Sequence, residues 1–444
     1  MANIIPFRGL RYNINKIDEL SHVTTPPYDV ISSEAQQNFY DKNEYNIIRL
    51  ELGKDFNDDS ASNNKYTRAT SFLDTWIKDE ILIQEDSPAI YVYDQKFSTP
   101  EGEVKTRRGL VVLVKLAEFS EGIVLPHEYT LSKAKVDRFN LMQATNSNIS
   151  QIFSLYNDKT EVIQILNRHT TSNTPQIDYT NSDNIHEQLW ILKDDQIISE
   201  VQNALLNKQL FIADGHHRYE TALNYRNKLS AENPEHTGNE LYNYVMMTLV
   251  DMNDPGLLVF PTHRVIKNVD SFDSKDFFKF VSKFFHVDKV EYDPNKDKNH
   301  ISNQIKAALE EKLLDYKSFV FLDGIENAYY ILTLNDISFI ENNIPHKAPA
   351  YRELDVAILH SIILEQYFKI DAENMAQQTN LSYTRNISEA FEWIESKVYQ
   401  CAFFLNPTLV SQVKEVSLAN EKMPQKSTYF YPKLTTGLVM NKFK

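Results

Sequence analysis

Apolar positions recur along the chain at two distinct spacings. Between 66 and 78, Tyr66, Ala69, Phe72, Leu73 and Trp76 fall at the i, i+3, i+4 intervals of an amphipathic helix. The runs 89–93 and 109–114 are short, apolar and strand-like, and Thr99-Pro100-Glu101-Gly102 between them is a turn signal, so a hairpin is predicted. A third apolar run, 209–213, stops at Asp214-Gly215, after which Tyr219, Ala222 and Leu223 resume helical spacing. That segment reads strand, turn, helix. The polar run 55–64 reads as an exposed loop. Beyond Lys267 the pattern predicts a helix over 272–284, a strand near Val287, a helix over 301–314, and strands at 318–322 and 328–334. Amphipathic helices are expected at 354–368 and 387–398, with a strand at 402–405 leading into Pro407 as a first helical residue. The expected fold class is α/β in the broad, mixed α+β sense. It has an N-terminal region, 1–266, and a second α/β region with C-terminal helices, 267–444.

Composition narrows the function classes. With 444 residues, 42% of them hydrophobic, the chain can bury a substantial core without staples. A single cysteine, Cys401, forms no internal disulfide, and its apolar neighbours Ala402, Phe403 and Phe404 mark it as a packing residue in a reducing compartment. The first residues carry no apolar run of signal-peptide length, and nowhere do eighteen apolar residues run together, so a cytoplasmic protein without a membrane partner is expected. A formal charge of −15 argues against general nucleic-acid binding, which draws on Lys and Arg neutralising phosphates. Neither GxxxxGK[ST] nor GxGxxG is present, which speaks against a P-loop or an NAD site, and one cysteine with no HExxH disfavours zinc.

Chemistry concentrates at Asp214-Gly215-His216-His217-Arg218. A glycine between strand and helix lets backbone approach a ligand, and the first helical amides favour an anion. Two histidines and an arginine in a first turn oppose the helix dipole, and a bound phosphate would resolve that conflict. A second cluster is His127-Glu128, followed by Arg138, where the carboxylate could serve as a general base or hold Mg²⁺. Further candidates are Tyr28 and Asp29 in the rigid Pro26-Pro27 turn, the His263-Arg264 pair, and Lys426 and Lys433 in the aromatic tail.

Seven ordered segments, PFRGLRYN, PPYDVI, LPHEYTLSKAKVDR, FIADGHHRYETAL, FPTHRVI, LDVAILH and MPQKSTYFYPKLTTGL, resemble the bacterial family catalogued as domain of unknown function 1015. The DGHHR turn also resembles the ParB and sulfiredoxin-like superfamily, which includes nucleotide-dependent kinases for free serine. That resemblance implies a ParB/sulfiredoxin-like core, with an additional α/β region and a helical C-terminal part. It implies a nucleotide and phosphate site at the turn, Gly215, His216, His217 and Arg218, with Asp214 and His216 toward Mg²⁺ and Asp214 and His217 assisting the chemistry; Arg138, Lys426 and Lys433 are further candidates for phosphate contact. Glu128 would be the base. The expectation is a phosphotransferase that uses Mg²⁺ with ATP or ADP on a small hydroxyl compound such as free serine. A non-catalytic nucleotide switch and a phosphate-ester or nucleotide hydrolase stay open beside it, as do the acceptor and the oligomeric state.

Overall fold

The strands expected at 89–93 and 109–114 extend into a long antiparallel hairpin, Ile90–Ser98 with Val104–Lys115, turning at 99–103. We describe the chain from a computed structural model, over residues 1–270, 272–312 and 317–443. Contacts divide it into two units. The first comprises Met1–Pro126, Thr130–Leu258 and Phe430–Lys444, the second His127–Tyr129 and Val259–Tyr429. This division departs from a single cut between 266 and 267. Strand His263–Lys267 pairs on both edges within the second unit, while the C-terminal residues pair back into the first, Asn441–Lys442 on Ser147–Asn148.

In the first unit the hairpin lies near the middle of a nine-stranded mixed sheet. From one edge to the other it runs Val124–Leu125, Leu210–Asp214, Ile152–Tyr156, Tyr244–Asp251, Val104–Lys115, Ile90–Ser98, His186–Leu192 and Ile177–Thr180, with Ile4–Ile5 added to Val104–Lys115. Alternation along the strands divides their side chains. Ile90, Val92, Leu110, Val112, Ile152 and Ile212 join one large core with residues of helices Glu161–Ser172, Asp195–Leu205 and His216–Glu232. Tyr93, Gln95, Arg107 and Phe153 point to the opposite face. Helix Lys65–Lys78, as its periodicity predicts, buries Ala69, Leu73 and Trp76 in a second cluster with Leu10, Leu50, Leu141 and Met440.

The second unit is a six-stranded, fully antiparallel sheet in the order Phe285–Glu291, Ala328–Leu334, Ser318–Leu322, Tyr399–Phe404, His263–Lys267, Leu381–Thr384. Helices Ser274–Val281, Lys298–Lys312 and Ile387–Glu395 pack on it. Positions 313 and 314 of the expected 301–314 helix lie outside the described residues. Two expectations fail here. The segment 354–368 is not one amphipathic helix: a short α-helix, Asp355–Ile358, runs into a π-helical stretch, Leu359–Leu364, buried on most sides. Its apolar residues reflect burial, which hides the one-sided period. Pro407 does not open a helix; the next one is Val410–Leu418. Among the described residues no helix is long and apolar enough to cross a membrane.

Candidate functional site

The turn after strand Leu210–Asp214 is shaped by a bulge. The pairing shifts between Ile212 and Asp214, so that Asp214, rather than Ala213, stands opposite Phe153. One extra residue reverses the alternation and sends the Asp214 side chain to the Phe153 face, away from the core that holds Ile212. Gly215 follows at φ 93° and caps helix His216–Glu232. A Cβ there would stand 2.9 Å from Arg218 Nη2, so the glycine is needed both for its backbone angle and for space.

Asp214 is the hub. Its Oδ1 accepts from Lys433 Nζ at 2.7 Å and its Oδ2 from Arg218 Nη2 at 2.8 Å. Burial alone would raise this carboxyl, but Lys433 and Arg218 hold it well below the usual carboxylate range. The conflict foreseen at the helix start is thus met first by an internal carboxylate, and Arg218 needs no ligand for its charge to be balanced. Arg218 Nη1 also donates to the Gln151 carbonyl at 2.5 Å, while its buried Nε has no acceptor among the described residues. His216 is buried beside Asp214. His217 Nε2 accepts from the Leu131 amide at 2.8 Å, and burial lowers its pKa, both consistent with a neutral ring protonated on Nδ1.

Around this hub lie other residues singled out in the sequence. Arg138 is buried, donates to the Glu51 carbonyl at 2.7 Å and stacks 4.2 Å over the Tyr28 ring. Glu51 accepts from Ser150 Oγ at 2.8 Å, and burial raises its carboxyl despite Arg138 and Arg218. Asp29 is exposed and contributes its charge to the environment of Arg218 and His217. A cavity of about 30 Å³ is bordered by Glu51, Arg138, Asn148, Ser150, Arg218 and Thr221, room for a water or two.

Sequence reasoning missed a second layer. Arg107, in the hairpin, is fully buried, lies 4.6 Å over the Phe153 ring and donates to the Pro432 carbonyl at 2.7 Å and to Gln95. Beside it Glu187 accepts from Tyr93, Thr435 and Asn181 at 2.5, 2.6 and 2.9 Å. These groups fasten the tail that delivers Lys433. A signal was present: Arg107 shares its strand face with Gly109, Val111 and Leu113, and a charge on a buried apolar face calls for a polar partner.

The remaining candidates belong to the second unit. His127 Nε2 lies 3.0 Å from Thr428 Oγ1, and Glu128 bridges to Met423. His263 and Arg264 are adjacent on a strand and so face opposite ways. His263 is a core histidine, edge-on to Phe404, with burial pushing its pKa down to about 3. The Lys426 carbonyl accepts from Arg264 Nη2 at 3.1 Å.

Both Asp214 oxygens accept from cations, Lys433 and Arg218, and among the described residues no group of three or more His, Cys, Asp or Glu side chains is placed to hold a metal ion.

The family model described as "Protein of unknown function (DUF1015)" matches residues 4–357. The chain belongs to this family. The match includes the DGHHR turn, whereas Lys433 lies beyond the matched residues. None of the curated proteins matches the chain. Among solved structures, a conserved hypothetical protein from Pyrococcus furiosus superposes with a TM-score of 0.34 at 11% identity, over 74% of this chain and 95% of that one. A free serine kinase in complex with AMP superposes with a TM-score of 0.35 at 11% identity, over 74% of this chain and 92% of the kinase. At these scores neither superposition carries an inference about the site.

Proposed function

We propose that the first unit binds the phosphates of a nucleotide at the Asp214–Arg218 turn and passes a phosphoryl group to a small hydroxyl compound, free serine being the first acceptor to test. One arrangement supports this reading. Two cations, Arg218 and Lys433, converge on the single Asp214 carboxylate where a glycine opens a 17-residue helix. The hub therefore carries an excess of one positive charge at the N-terminal end of the helix, which favours a polyanion. The buried Arg218 Nε offers a further donor. Serine as acceptor comes from the resemblance of the DGHHR turn to free serine kinases.

Phosphoryl transfer asks the protein mainly for positioning and charge. The acceptor oxygen would form its bond to the terminal phosphorus as the bridging oxygen leaves with the shortened nucleotide, and the hydroxyl proton would pass to a base. Arg218 and Lys433 would hold non-bridging oxygens. Glu128 is assigned as the base on its motif alone.

The deciding experiment incubates the protein with magnesium ATP or ADP and a pool of amino acids and small alcohols, and follows products by mass spectrometry. A phosphorylated acceptor is expected, lost in Arg218→Ala and at least 100-fold slower in Lys433→Ala. Full activity in Glu128→Gln would remove that residue from the base role. Saturable nucleotide binding without product would favour a switch, and acceptor-independent nucleotide loss a hydrolase. No nucleotide binding by calorimetry would overturn the reading.

A further inference from the structure

A cavity of about 110 Å³ lies wholly within the second unit, among residues that the first unit's chemistry does not use. Its lining includes Arg264, Lys317, Asp355, Asn406, Thr408 and Ser427. Segments distant in sequence converge there: strand His263–Lys267, the start of helix Asp355–Ile358, the loop after strand Tyr399–Phe404, and the tail before Tyr429.

Arg264 is the unusual member. It is 1% exposed, yet every partner of its guanidinium among the described residues is neutral. Nη1 donates to the Thr262 carbonyl, Nη2 to the Gln425 and Lys426 carbonyls at 3.3 and 3.1 Å, and Nε to His360 Nε2 at 3.3 Å. The Tyr383 ring, 5.5 Å away, offsets part of the charge. Among the described residues no carboxylate stands within ion-pair distance of Arg264. A buried cation without a counter-charge is costly, and an arginine is suited to a phosphate or carboxylate by its flat fork of donors. Burial accordingly pulls the Arg264 pKa down to about 10.

Two further features favour an anion. Helix Val410–Leu418 begins at the cavity with Leu409 at its N-cap, a residue with no side-chain oxygen for the first amides. Lys317 adds a second cation, 3.9 Å from the cavity's one lining carboxylate, Asp355. Hydroxyl and amide groups of Thr262, Thr408, Ser427 and Asn406 complete a polar wall of the kind that orients a small ligand. At about 10–15 Å³ for each water it could hold, the volume suits a compact ligand rather than a nucleotide.

We propose that this cavity binds a small molecule bearing a phosphate or carboxylate group, with Arg264 and Lys317 as its charged anchors. The test titrates the full-length protein with inorganic phosphate and, in a separate arm, with acetate, by calorimetry at low ionic strength. The expected result is saturable binding in one arm or both, kept in Arg218→Ala and weakened at least tenfold in Lys317→Gln. Phosphate alone or acetate alone identifies the group the cavity prefers. Because Arg264→Gln removes hydrogen bonds to the Thr262 carbonyl, the Gln425–Lys426 backbone and the His360 ring, Thr408→Val serves as a second, milder variant, with a severalfold loss expected. Binding unaffected by both Lys317→Gln and Thr408→Val, binding abolished by Arg218→Ala, or no binding of either anion would each overturn the proposal. Failure here leaves the nucleotide reading of the first unit untouched, since that site is monitored by its own variant.

Discussion

At Gly215 the backbone and the side chains make the same demand. Its φ of 93° disfavours any side chain by about 1–2 kcal/mol, and a Cβ would press on Arg218. Gly215→Ala should lower the melting temperature by roughly 2–8 °C, read by calorimetry, at about 2–4 °C per kcal/mol for a chain of this size. It should also weaken nucleotide binding more than its stability cost accounts for, by moving Arg218. Asp355 gives a pH-dependent prediction. Burial raises its carboxyl to about 6 despite Lys317, above the value of about 3.9 in an unfolded chain. The folded state therefore holds this proton more tightly. The resulting stabilisation is complete below about pH 4 and lost as pH rises through 6. Asp355→Asn should gain about 1–3 kcal/mol at pH 7.5 and nothing near pH 4, measured by denaturant unfolding at both values.

Helices in this chain are set by their ends as well as their faces. Lys65–Lys78 starts with a capping box in which the Asn64 side chain accepts from the Tyr66 and Thr67 amides, and the Thr67 hydroxyl accepts from the Asn64 amide. Asn64→Ala should cost about 1 kcal/mol, seen as a shift in denaturant midpoint with an unchanged slope. Helix His216–Glu232 starts on a glycine instead, and the side chains of its first turn reach distant partners, His217 accepting from the Leu131 amide and Arg218 donating to the Gln151 carbonyl. Those partners are 86 and 67 residues away, beyond any pattern read along the chain. The same limit explains Leu354 to Phe368. Apolar residues all round remove the helical stripe, and the π-helical stretch has no signature in spacing.

For the chain as a whole, the segment from Phe430 onward is structural as well as chemical. It buries Phe430, Leu434, Leu438, Val439 and Met440, ties Thr435 to Glu187 and places Lys433 on Asp214. Burial of each large apolar side chain contributes about 1.5–3 kcal/mol, so the sum is comparable to the whole stability margin of a domain. Ending the chain at Tyr429 should therefore unfold the first unit, detectable as loss of hydrogen-exchange protection in strand Leu210–Asp214. Lys433→Met, by contrast, should leave the fold intact and remove only the nucleotide affinity.

Local order was legible in the amino-acid sequence because it depends on spacing and on neighbours a few residues away. The hairpin, the strand-turn-helix at Asp214, helix Lys65–Lys78 and the buried strand at Cys401 all follow from periodicity and turn chemistry. The chain also marked the residues that carry chemistry, from Tyr28 to Lys433. It could not say which of them lie in one unit. Tertiary structure divides them, with Tyr28, Asp29, Arg138, Asp214–Arg218 and Lys433 in the first unit and His127, Glu128, His263, Arg264 and Lys426 in the second. The physical reason lies in small local events with long-range results. A one-residue bulge turned Asp214 to the other sheet face, strand alternation separated His263 from Arg264, and a C-terminal tail crossed 219 residues of sequence to neutralise a carboxylate.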